Sequence, residues 1–205
     1  PESLGQLTEL KSLSLIYTGL KEVPKWLKRL RKLQELDLSD NNLQTLPTWL
    51  GELNQLEYLD ISINQLTSLP EALSNLKHLR HLNIAKNKIS TLPDSLVDLP
   101  NLEVLCLAVH NNGNPLSDLP PFFEKLTQLK ELLCNNCHFT DLPPSLAELE
   151  HLEKLELKGN PLNPELAEAY KQGFEGVKAY LRAKAKTGQI ILNEAKLILV
   201  GEGEV

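Results

Sequence analysis

Residues 56–76 read LEYLDISINQLTSLPEALSNL, and the spacing of their apolar side chains decides the fold. Leu59 and Ile61 alternate with Tyr58 and Asp60, and a period of two residues is that of a β-strand. We therefore predict a short strand whose aliphatic side chains point inward while their neighbours point outward.

The second half of the same stretch turns the chain back on itself. Pro70 has no backbone N–H to donate, so it stops further strand pairing. The leucines around it are spaced to pack inward: Leu66, Leu69, Leu73 and Leu76. One strand and one return arc make a coil. A single coil buries too little apolar surface to offset the conformational entropy lost on ordering it, so it needs neighbours on both faces.

The same pattern recurs along the chain, which makes such neighbours available. It reads L-x-x-L-x-L-x-x-N-x-L-x-x-L-P-x-x-L-x-x-L and begins at Leu10, Leu33, Leu56, Leu79, Leu102, Leu129 and Leu152. Successive starts are 23 residues apart, except for a step of 27 after Leu102. The pattern resembles the leucine-rich-repeat family over residues 1–162. The resemblance implies an α/β fold, a right-handed, horseshoe-like solenoid with a parallel sheet on its concave side.

One inward slot of the repeat is polar, and it is occupied by Asn41, Asn64, Asn87 and Asn160. A buried amide is costly unless it is hydrogen-bonded, so we predict an asparagine ladder bonded to the turn backbone of its own or the next coil. Thr18 and Cys137 fill this slot in the first and sixth repeats, where the smaller side chains predict a weaker ladder.

Composition excludes several classes of function. The 205 residues are 41% hydrophobic and 23% charged, which is typical of a folded protein. A net charge of −6 argues against nucleic-acid binding, which needs clustered Lys and Arg. No apolar run is long enough to span a membrane. Three clustered cysteines form no disulfide framework, and no Asn-x-Ser/Thr glycosylation site occurs, so we expect a cytoplasmic protein.

The outward strand positions are not needed for packing, so they can carry binding information. We call this surface, expected on the concave side, the sheet face. Its residues are Ser12, Ser14, Ile16, Glu35, Asp37, Ser39, Tyr58, Asp60, Ser62, His81, Asn83, Ala85, Val104, Cys106, Ala108, Glu131, Leu133, Asn135, Lys154, Glu156 and Lys158. It is acidic in the early repeats, small and apolar in the middle, and basic in the last repeat.

Two features of this surface predict protein contacts. The first is an exposed apolar patch of Val104, Cys106, Ala108 and Leu133. The second is the four-residue insertion within residues 110–115, expected to form a loop at one rim. The candidate partner-binding residues are Asp37, Tyr58, Asp60, His81, Val104, Cys106, Leu133, His110 and Asn112. Scattered surface aliphatics and a tolerated loop are the alternative explanations.

The residues offer no pattern for catalysis or for a metal site. Cys134-x-x-Cys137 has the spacing of a zinc or redox motif, but one cysteine falls on an inward strand position and the other on the asparagine slot. The five histidines lie on different coils, and no Ser/His/Asp, Cys/His or paired-carboxylate arrangement emerges. We expect no catalytic residue and no metal site within these 205 residues.

The repeat ends near Leu162, and residues 163–188 are predicted to form a helical cap or connector. Asn163-Pro164 is typical of a helix start, Gly173 of a break and Gly188 of a stop. Beyond it, residues 196–201 read KLILVG, an apolar run ending in glycine that predicts a buried strand, with residues 189–192 beside it. Residues 201–205 then match the opening of a G-x-x-x-x-G-K-[ST] phosphate loop. They equally match the opening of a dinucleotide loop, and a loose glycine-rich tail is the third interpretation.

Three further stretches carry a more specific resemblance: residues 159–166 (GNPLNPEL), 179–181 (AYL) and 195–205 (AKLILVGEGEV). Together with the 23-residue repeat they resemble the Roco family, in which leucine-rich repeats precede a Ras-like GTPase domain called Roc and a dimerising COR domain. Residues 189–205 would then begin the Roc domain.

The Roco resemblance implies that the full-length protein binds and hydrolyses GTP with Mg and forms a homodimer. The repeats would then be a regulatory arm that contacts its own GTPase and COR domains or another chain. Gly201 and Gly203 match only the opening of the phosphate loop. The Lys and Ser/Thr that reach the phosphates and magnesium would follow Val205, so we expect residues 1–205 alone neither to bind nor to hydrolyse nucleotide.

Two other functions fit the same residues. The chain could be a free-standing intracellular leucine-rich-repeat adaptor or bacterial effector, or the front end of a dinucleotide-dependent enzyme. The residues that follow Val205 in the natural gene distinguish the three. Gly-Lys-Thr or Gly-Lys-Ser indicates the GTPase, glycine without lysine indicates the dinucleotide loop, and a stop codon indicates the adaptor.

Overall fold

Seven short strands form one open parallel sheet, one strand in each predicted repeat. The computed structural model describes residues 2–109, 112–121 and 123–201. The strands are β1 (Ser12–Ser14), β2 (Glu35–Asp37), β3 (Tyr58–Asp60), β4 (His81–Asn83), β5 (Val104–Cys106), β6 (Ala108–Val109), β7 (Asn112–Gly113), β8 (Glu131–Leu133) and β9 (Lys154–Glu156). The sheet order is β1-β2-β3-β4-β5-β8-β9, while β6 and β7 form a separate ribbon.

The strands are paired in register, and the middle residue of each is an inward-pointing leucine. Leu36 pairs with Leu59, Leu59 with Leu82 and Leu82 with Leu105 along the sheet. All four side chains are fully buried, so they lie in one interior file as the repeat predicted. The predicted solenoid with a parallel sheet is confirmed.

Short 3₁₀-helical turns form the return arcs opposite the sheet. They are Glu2–Gln6, Lys25–Arg29, Thr48–Glu52, Glu71–Asn75, Asp94–Asp98, Phe123–Lys125 and Pro144–Glu148. In the third repeat, Pro70 precedes the turn in extended conformation and its carbonyl accepts a hydrogen bond from the Leu73 N–H at 3.0 Å. Leu73 and Leu76 are thereby held inward, against the buried file of the strands.

The asparagine ladder is present and links each coil to the one before it. The Asn64 amide donates to the carbonyls of Ile61 (3.1 Å) and Ser62 (3.1 Å) in its own coil, and to Leu38 (3.0 Å) in the preceding coil. Its Oδ1 accepts from the Leu43 N–H at 2.9 Å. The predicted bonds to its own coil are confirmed, whereas the bonds between coils reach the preceding coil and not the next one.

The ladder also contains a member that the repeat count did not predict. Asn114 is 1% exposed, donates to Ile84 and Leu107 at 2.9 and 2.8 Å, and accepts from the Ile89 N–H at 3.0 Å. The insertion moved the slot from position 110 to position 114. In the next coil the Cys137 thiol contacts the Asn135 carbonyl at 3.8 Å and hydrogen-bonds the Asn114 backbone. A thiol is a weaker donor than an amide, so the ladder is weaker there, as predicted.

The residue before most ladder slots has a left-handed backbone conformation. Positive φ occurs at Tyr17, Asp40, Ile63, Lys86, Asn136 and Gly159, whereas Gly113, which precedes Asn114, has no positive φ. The left-handed conformation is unfavourable for a β-branched residue, so Ile63, with φ of +52°, is held there by the surrounding turn rather than by its own preference.

Two α-helices close the carboxyl-terminal end of the solenoid. Asn163 caps α1 (Pro164–Lys171) by accepting from the Leu166 N–H at 2.8 Å. Gly173, with φ of +84°, separates α1 from α2 (Phe174–Gly201). Tyr180 and Lys184 on α2 contact the Asp141 carboxylate, at 3.2 and 2.6 Å. The predicted helical cap and its break at glycine are confirmed.

The strands predicted at residues 189–192 and 196–201 are wrong, as is the stop at Gly188, because α2 continues to Gly201. A buried parallel strand needs partners on both sides, and the described residues place no strand beside this segment. A helix satisfies its backbone hydrogen bonds internally, and the Ala, Leu, Lys and Glu of this segment favour it.

We expect Asn64→Leu to lower the free energy of unfolding by roughly 1–3 kcal/mol, because four backbone groups lose their partner in the interior. Urea unfolding monitored by circular dichroism measures this. Asn75→Leu, at an exposed position in a return arc, is the matched control and should change stability little. Equal midpoints for Asn64→Leu and the wild type would contradict the role of the ladder.

We expect Ile63→Asn to raise the free energy of unfolding by roughly 1 kcal/mol, because asparagine tolerates the left-handed conformation that strains isoleucine. The melting temperature should rise by about 2–4 °C. Ile16→Asn is the control, since Ile16 is similarly exposed but has no positive φ. A gain of the same size in both variants would show that the strain is not the cause.

Candidate functional site

The in-register sheet arranges the sheet face into two adjacent rows of side chains. The first row is Ser12, Glu35, Tyr58, His81, Val104, Glu131 and Lys154, and the second is Ser14, Asp37, Asp60, Asn83, Cys106, Leu133 and Glu156. Neighbours in a row lie on strands spaced about 4.8 Å apart. The sheet therefore brings Tyr58, His81, Asp60 and Asp37 together, although they are far apart in sequence.

An aromatic pair lies in the middle of the first row. The rings of Tyr58 and His81 stack with their centroids 4.7 Å apart and an angle of 20° between their planes. Both side chains are half-buried. Burial, with the charges of Asp60 and Asp37, raises the pKa of Tyr58 to about 12, and burial lowers the pKa of His81. Both rings are therefore neutral near pH 7, which keeps the stack uncharged.

Asp60 is buried beneath this pair and its carboxylate is fully hydrogen-bonded. Oδ1 accepts from the backbone N–H and the hydroxyl of Ser62 at 2.8 and 2.6 Å. Oδ2 accepts from the Asn83 amide at 2.7 Å and from the Tyr58 hydroxyl at 3.3 Å. Asp60 is 7% exposed, so the expectation that every outward side chain is free for a partner is wrong at this position. It orients its neighbours instead.

The apolar patch predicted in the middle of the face is smaller than expected. Val104 and Leu133 are half-buried, but Cys106 is 3% exposed and Ala108 is 1% exposed. The Cys106 thiol contacts the Ala108 carbonyl at 3.4 Å, and burial raises its pKa to about 11. Of the four residues of the patch, only Val104 and Leu133 therefore remain accessible to a partner.

The insertion forms a two-stranded antiparallel ribbon rather than a simple loop. Ala108 pairs with Gly113 and Val109 with Asn112, directly after β5. A Cβ at Gly113 would lie 2.7 Å from the carbonyl carbon of Asn136, so glycine allows the ribbon to approach the next coil. Asn112 lies on this ribbon, while His110, the other candidate of the insertion, lies outside the described residues.

Charge on the sheet face is distributed unevenly. Among the described residues, Glu35, Asp37 and Asp60 form no ion pair, and β1 to β5 carry no Lys or Arg on this face. At the other end, Lys154 pairs with Glu131 at 3.5 Å and with Glu156 at 3.3 Å. The face of the last repeat still carries Lys154 and Lys158 against Glu156, although Lys154 is paired.

Several acidic side chains outside the face are paired across coils. Glu103 forms ion pairs with Lys130 at 2.6 Å and with Arg80 at 2.5 Å, and Arg80 also lies 3.9 Å from Glu57. Hydrogen bonds from Lys130 and Arg80 lower the pKa of Glu103. The hydrogen bond and charge of Glu156, followed by those of Glu131, raise the pKa of Lys154.

The cysteines and glycines singled out by sequence lie apart from this face. Cys134 and Cys137 are buried free thiols whose pKa values are raised by burial. Across the part of the chain that the structure describes, no group of three His, Cys, Asp or Glu side chains could hold a metal ion. Gly201 ends α2, and Gly203 lies outside the described residues.

Two family models match the chain. A leucine-rich repeat model matches residues 8–66, and a leucine-rich repeat region model matches residues 68–169. The chain contains a leucine-rich-repeat domain. No curated protein sequence matches the chain significantly. No helix within the described residues is long and apolar enough to cross a membrane.

Solved leucine-rich-repeat structures share this architecture. A leucine-rich-repeat protein of Leptospira interrogans is 34% identical over 78% of this chain and 40% of its own, with a TM-score of 0.74. The internalin InlF of Listeria monocytogenes is 29% identical over 79% of this chain and 45% of its own (TM-score 0.65). The ectodomain of the Arabidopsis thaliana membrane receptor kinase GASSHO1/SCHENGEN3 is 29% identical over 80% of this chain and 20% of its own (TM-score 0.67). The chain spans less than half the length of each.

We expect the leucine-rich-repeat domain to lose stability as the pH falls below about 6.5, because burial lowers the pKa of His81 in the folded state although Asp60 and Glu131 oppose the shift. At pH values between the folded and the unfolded pKa of His81, the unfolded chain binds more protons than the folded chain. The free energy of unfolding therefore decreases as the pH decreases through this range. His81→Phe keeps an aromatic ring in the stack and should lose less stability.

Urea unfolding at about pH 8 and about pH 5 compares the wild type, His81→Phe and the exposed-site control His78→Phe. The control should follow the wild type. If His81→Phe loses as much stability as the wild type between the two pH values, titration of His81 does not contribute.

Proposed function

We propose that this leucine-rich-repeat domain binds another protein segment through the sheet face, centred on the stacked Tyr58 and His81. The observation that carries the proposal is a half-exposed aromatic pair on a rigid sheet, beside carboxylates that have no ion-pair partner in the described chain. Aromatic side chains held by a rigid scaffold lose little entropy on binding and contribute much of the energy at protein interfaces.

The accessible aliphatic side chains support the same location. Val104 follows His81 in the first row and Leu133 lies one strand further in the second row, so they extend the aromatic pair toward the carboxyl-terminal end. The surface combines an apolar centre with a polar rim, which is the usual composition of an interface. One of the similar structures, the Arabidopsis receptor ectodomain, is a complex with CASPARIAN STRIP INTEGRITY FACTOR 2.

A binding assay tests this proposal directly. Proteins captured from a cell extract by the wild type are compared with those captured by Tyr58→Ala/His81→Ala, using Tyr17→Ala as the matched control. Tyr17 is 80% exposed and lies on the turn after β1, off the sheet face. Specific partners should be lost with the double variant and kept with the control. Partners kept by both variants would place the binding surface elsewhere.

We also propose that the domain is the regulatory arm of a Roco-type GTP-binding protein in the cytoplasm, whose full-length chain forms a homodimer and binds GTP with Mg. Residues 195–203 and the match of Gly201 and Gly203 to a phosphate loop support this proposal. The partner of the sheet face would then be the GTPase or COR domain of the same protein, or another chain. A free-standing adaptor or effector and a dinucleotide-dependent enzyme remain the alternatives.

Calorimetric titration of GTP with Mg into a longer natural chain, and into residues 1–205, tests the GTPase proposal. We expect binding to the longer chain and none to residues 1–205, which lack the lysine that reaches the phosphates. Absence of binding to the longer chain would contradict the proposal.

A further inference from the structure

We infer that the partner contacts the sheet face with an arginine side chain, its guanidinium lying on the Tyr58 ring and paired with the Asp37 carboxylate. This inference rests on the proposed function, since it names the chemistry of the partner at that surface. The occupant is a basic segment of a protein.

The charge of the surface favours a cationic partner. On the strands β1 to β5 the face carries three carboxylates and no Lys or Arg. Glu131, on the same face further along the sheet, is paired with Lys154 of the adjacent coil. A surface that concentrates one sign of charge attracts the opposite sign and repels the same sign.

Hydrogen bonding distinguishes the three carboxylates. Glu35, the in-register neighbour of Tyr58, is exposed, and its Oε2 accepts from the Ser12 hydroxyl at 2.8 Å. Both oxygens of Asp60 already accept hydrogen bonds from Ser62, Asn83 and Tyr58. Asp37 uses only Oδ1, which accepts from the Ser39 N–H at 2.9 Å. Its Oδ2 accepts no hydrogen bond from the described residues, and the side chain is half-exposed. Asp60 therefore shapes the site, whereas Asp37 can receive a donor from a partner.

The aromatic pair supplies the second half of the site. Asp37 pairs in register with Asp60, two residues along the strand from Tyr58, so it is a diagonal neighbour of Tyr58 on the same face. Its charge also opposes ionisation of the Tyr58 phenol. A cation above the ring and beside Asp37 would interact with both groups. His81 stacks on the far side of Tyr58 from β2, and its low pKa keeps it from acting as a competing cation at neutral pH. The pair thus presents a neutral aromatic surface beside an unpaired acid.

Arginine suits this geometry better than lysine. A planar guanidinium can stack on an aromatic ring while its edge donates to a carboxylate, and it is less strongly hydrated than an ammonium group. A lysine ammonium can pair with the carboxylate and approach the ring, but it has no planar group to stack and is more strongly hydrated. The geometry therefore predicts an order of affinity, arginine above lysine and both above an uncharged analogue.

Four synthetic peptides of one sequence, carrying Arg, Lys, citrulline or Glu at the same positions, test the inference by NMR titration of the labelled 205-residue protein. We expect the Arg peptide to bind most tightly, the citrulline and Glu peptides not to bind, and the affinity to fall with salt. Chemical shifts should move first at Tyr58, His81 and Asp37.

Asp37→Asn should lower the affinity of the protein for the Arg peptide by roughly ten- to a hundredfold, which is the loss expected when a charged hydrogen bond is removed. Asp40→Asn is the matched control, because Asp40 lies on the turn after β2 and not on the sheet face, and it should bind as the wild type does. Melting temperatures of both variants establish that they fold.

Equal affinities for the Arg and citrulline peptides, no effect of Asp37→Asn, or no binding of the Arg peptide at millimolar concentration would each overturn the inference. These outcomes differ from a failure of the proposed function. If captured partners depend on Tyr58 and His81 but not on Asp37, the sheet face binds protein and only the arginine assignment fails.

Discussion

The buried asparagine amide that bridges two coils is the interaction on which the rest of the structure depends. The leucines supply most of the apolar burial, but apolar contact alone does not fix how one coil sits on the next. The Asn64 amide does so, because it bonds carbonyls of two coils and receives an N–H of the earlier one. Any slip between coils would leave these buried groups without partners, at the full cost of their desolvation.

This constraint explains how the fold tolerates an insertion. The four additional residues of the fifth repeat would displace the ladder if the slot kept its place in sequence. Instead, the ribbon of β6 and β7 takes up the extra length, and Asn114 reaches the same carbonyls that an asparagine at position 110 would reach. Register is preserved at β5 and β8, where Leu105 still pairs with Leu132. The sheet face is therefore continuous across the insertion.

The repeat could be predicted from the sequence because the spacing of its apolar side chains defines it. Three other features could not, because they depend on contacts with residues distant in sequence. Asn114 was not predicted as a ladder member because the regular spacing of the repeat places the slot at position 110, which is a histidine. Only the next leucine, Leu116, indicates that the slot is shifted. Asp60 and Cys106 point outward yet are buried, since side chains on adjacent strands cover them. Residues 196–201 read as a strand because a short apolar run does not distinguish a buried strand from a helix.

The same register that buries the leucines also creates the polarity of the sheet face. Lys154 stands beside Glu131 and Glu156, so the carboxyl-terminal strands neutralise themselves, whereas the strand neighbours of Asp37 are serine and aspartate. Self-repulsion among unpaired acids lowers stability, and a lysine at position 14 would have relieved it without disturbing any buried leucine. The face therefore has two electrostatically distinct ends, so a partner that bound it as we propose would be oriented along the sheet.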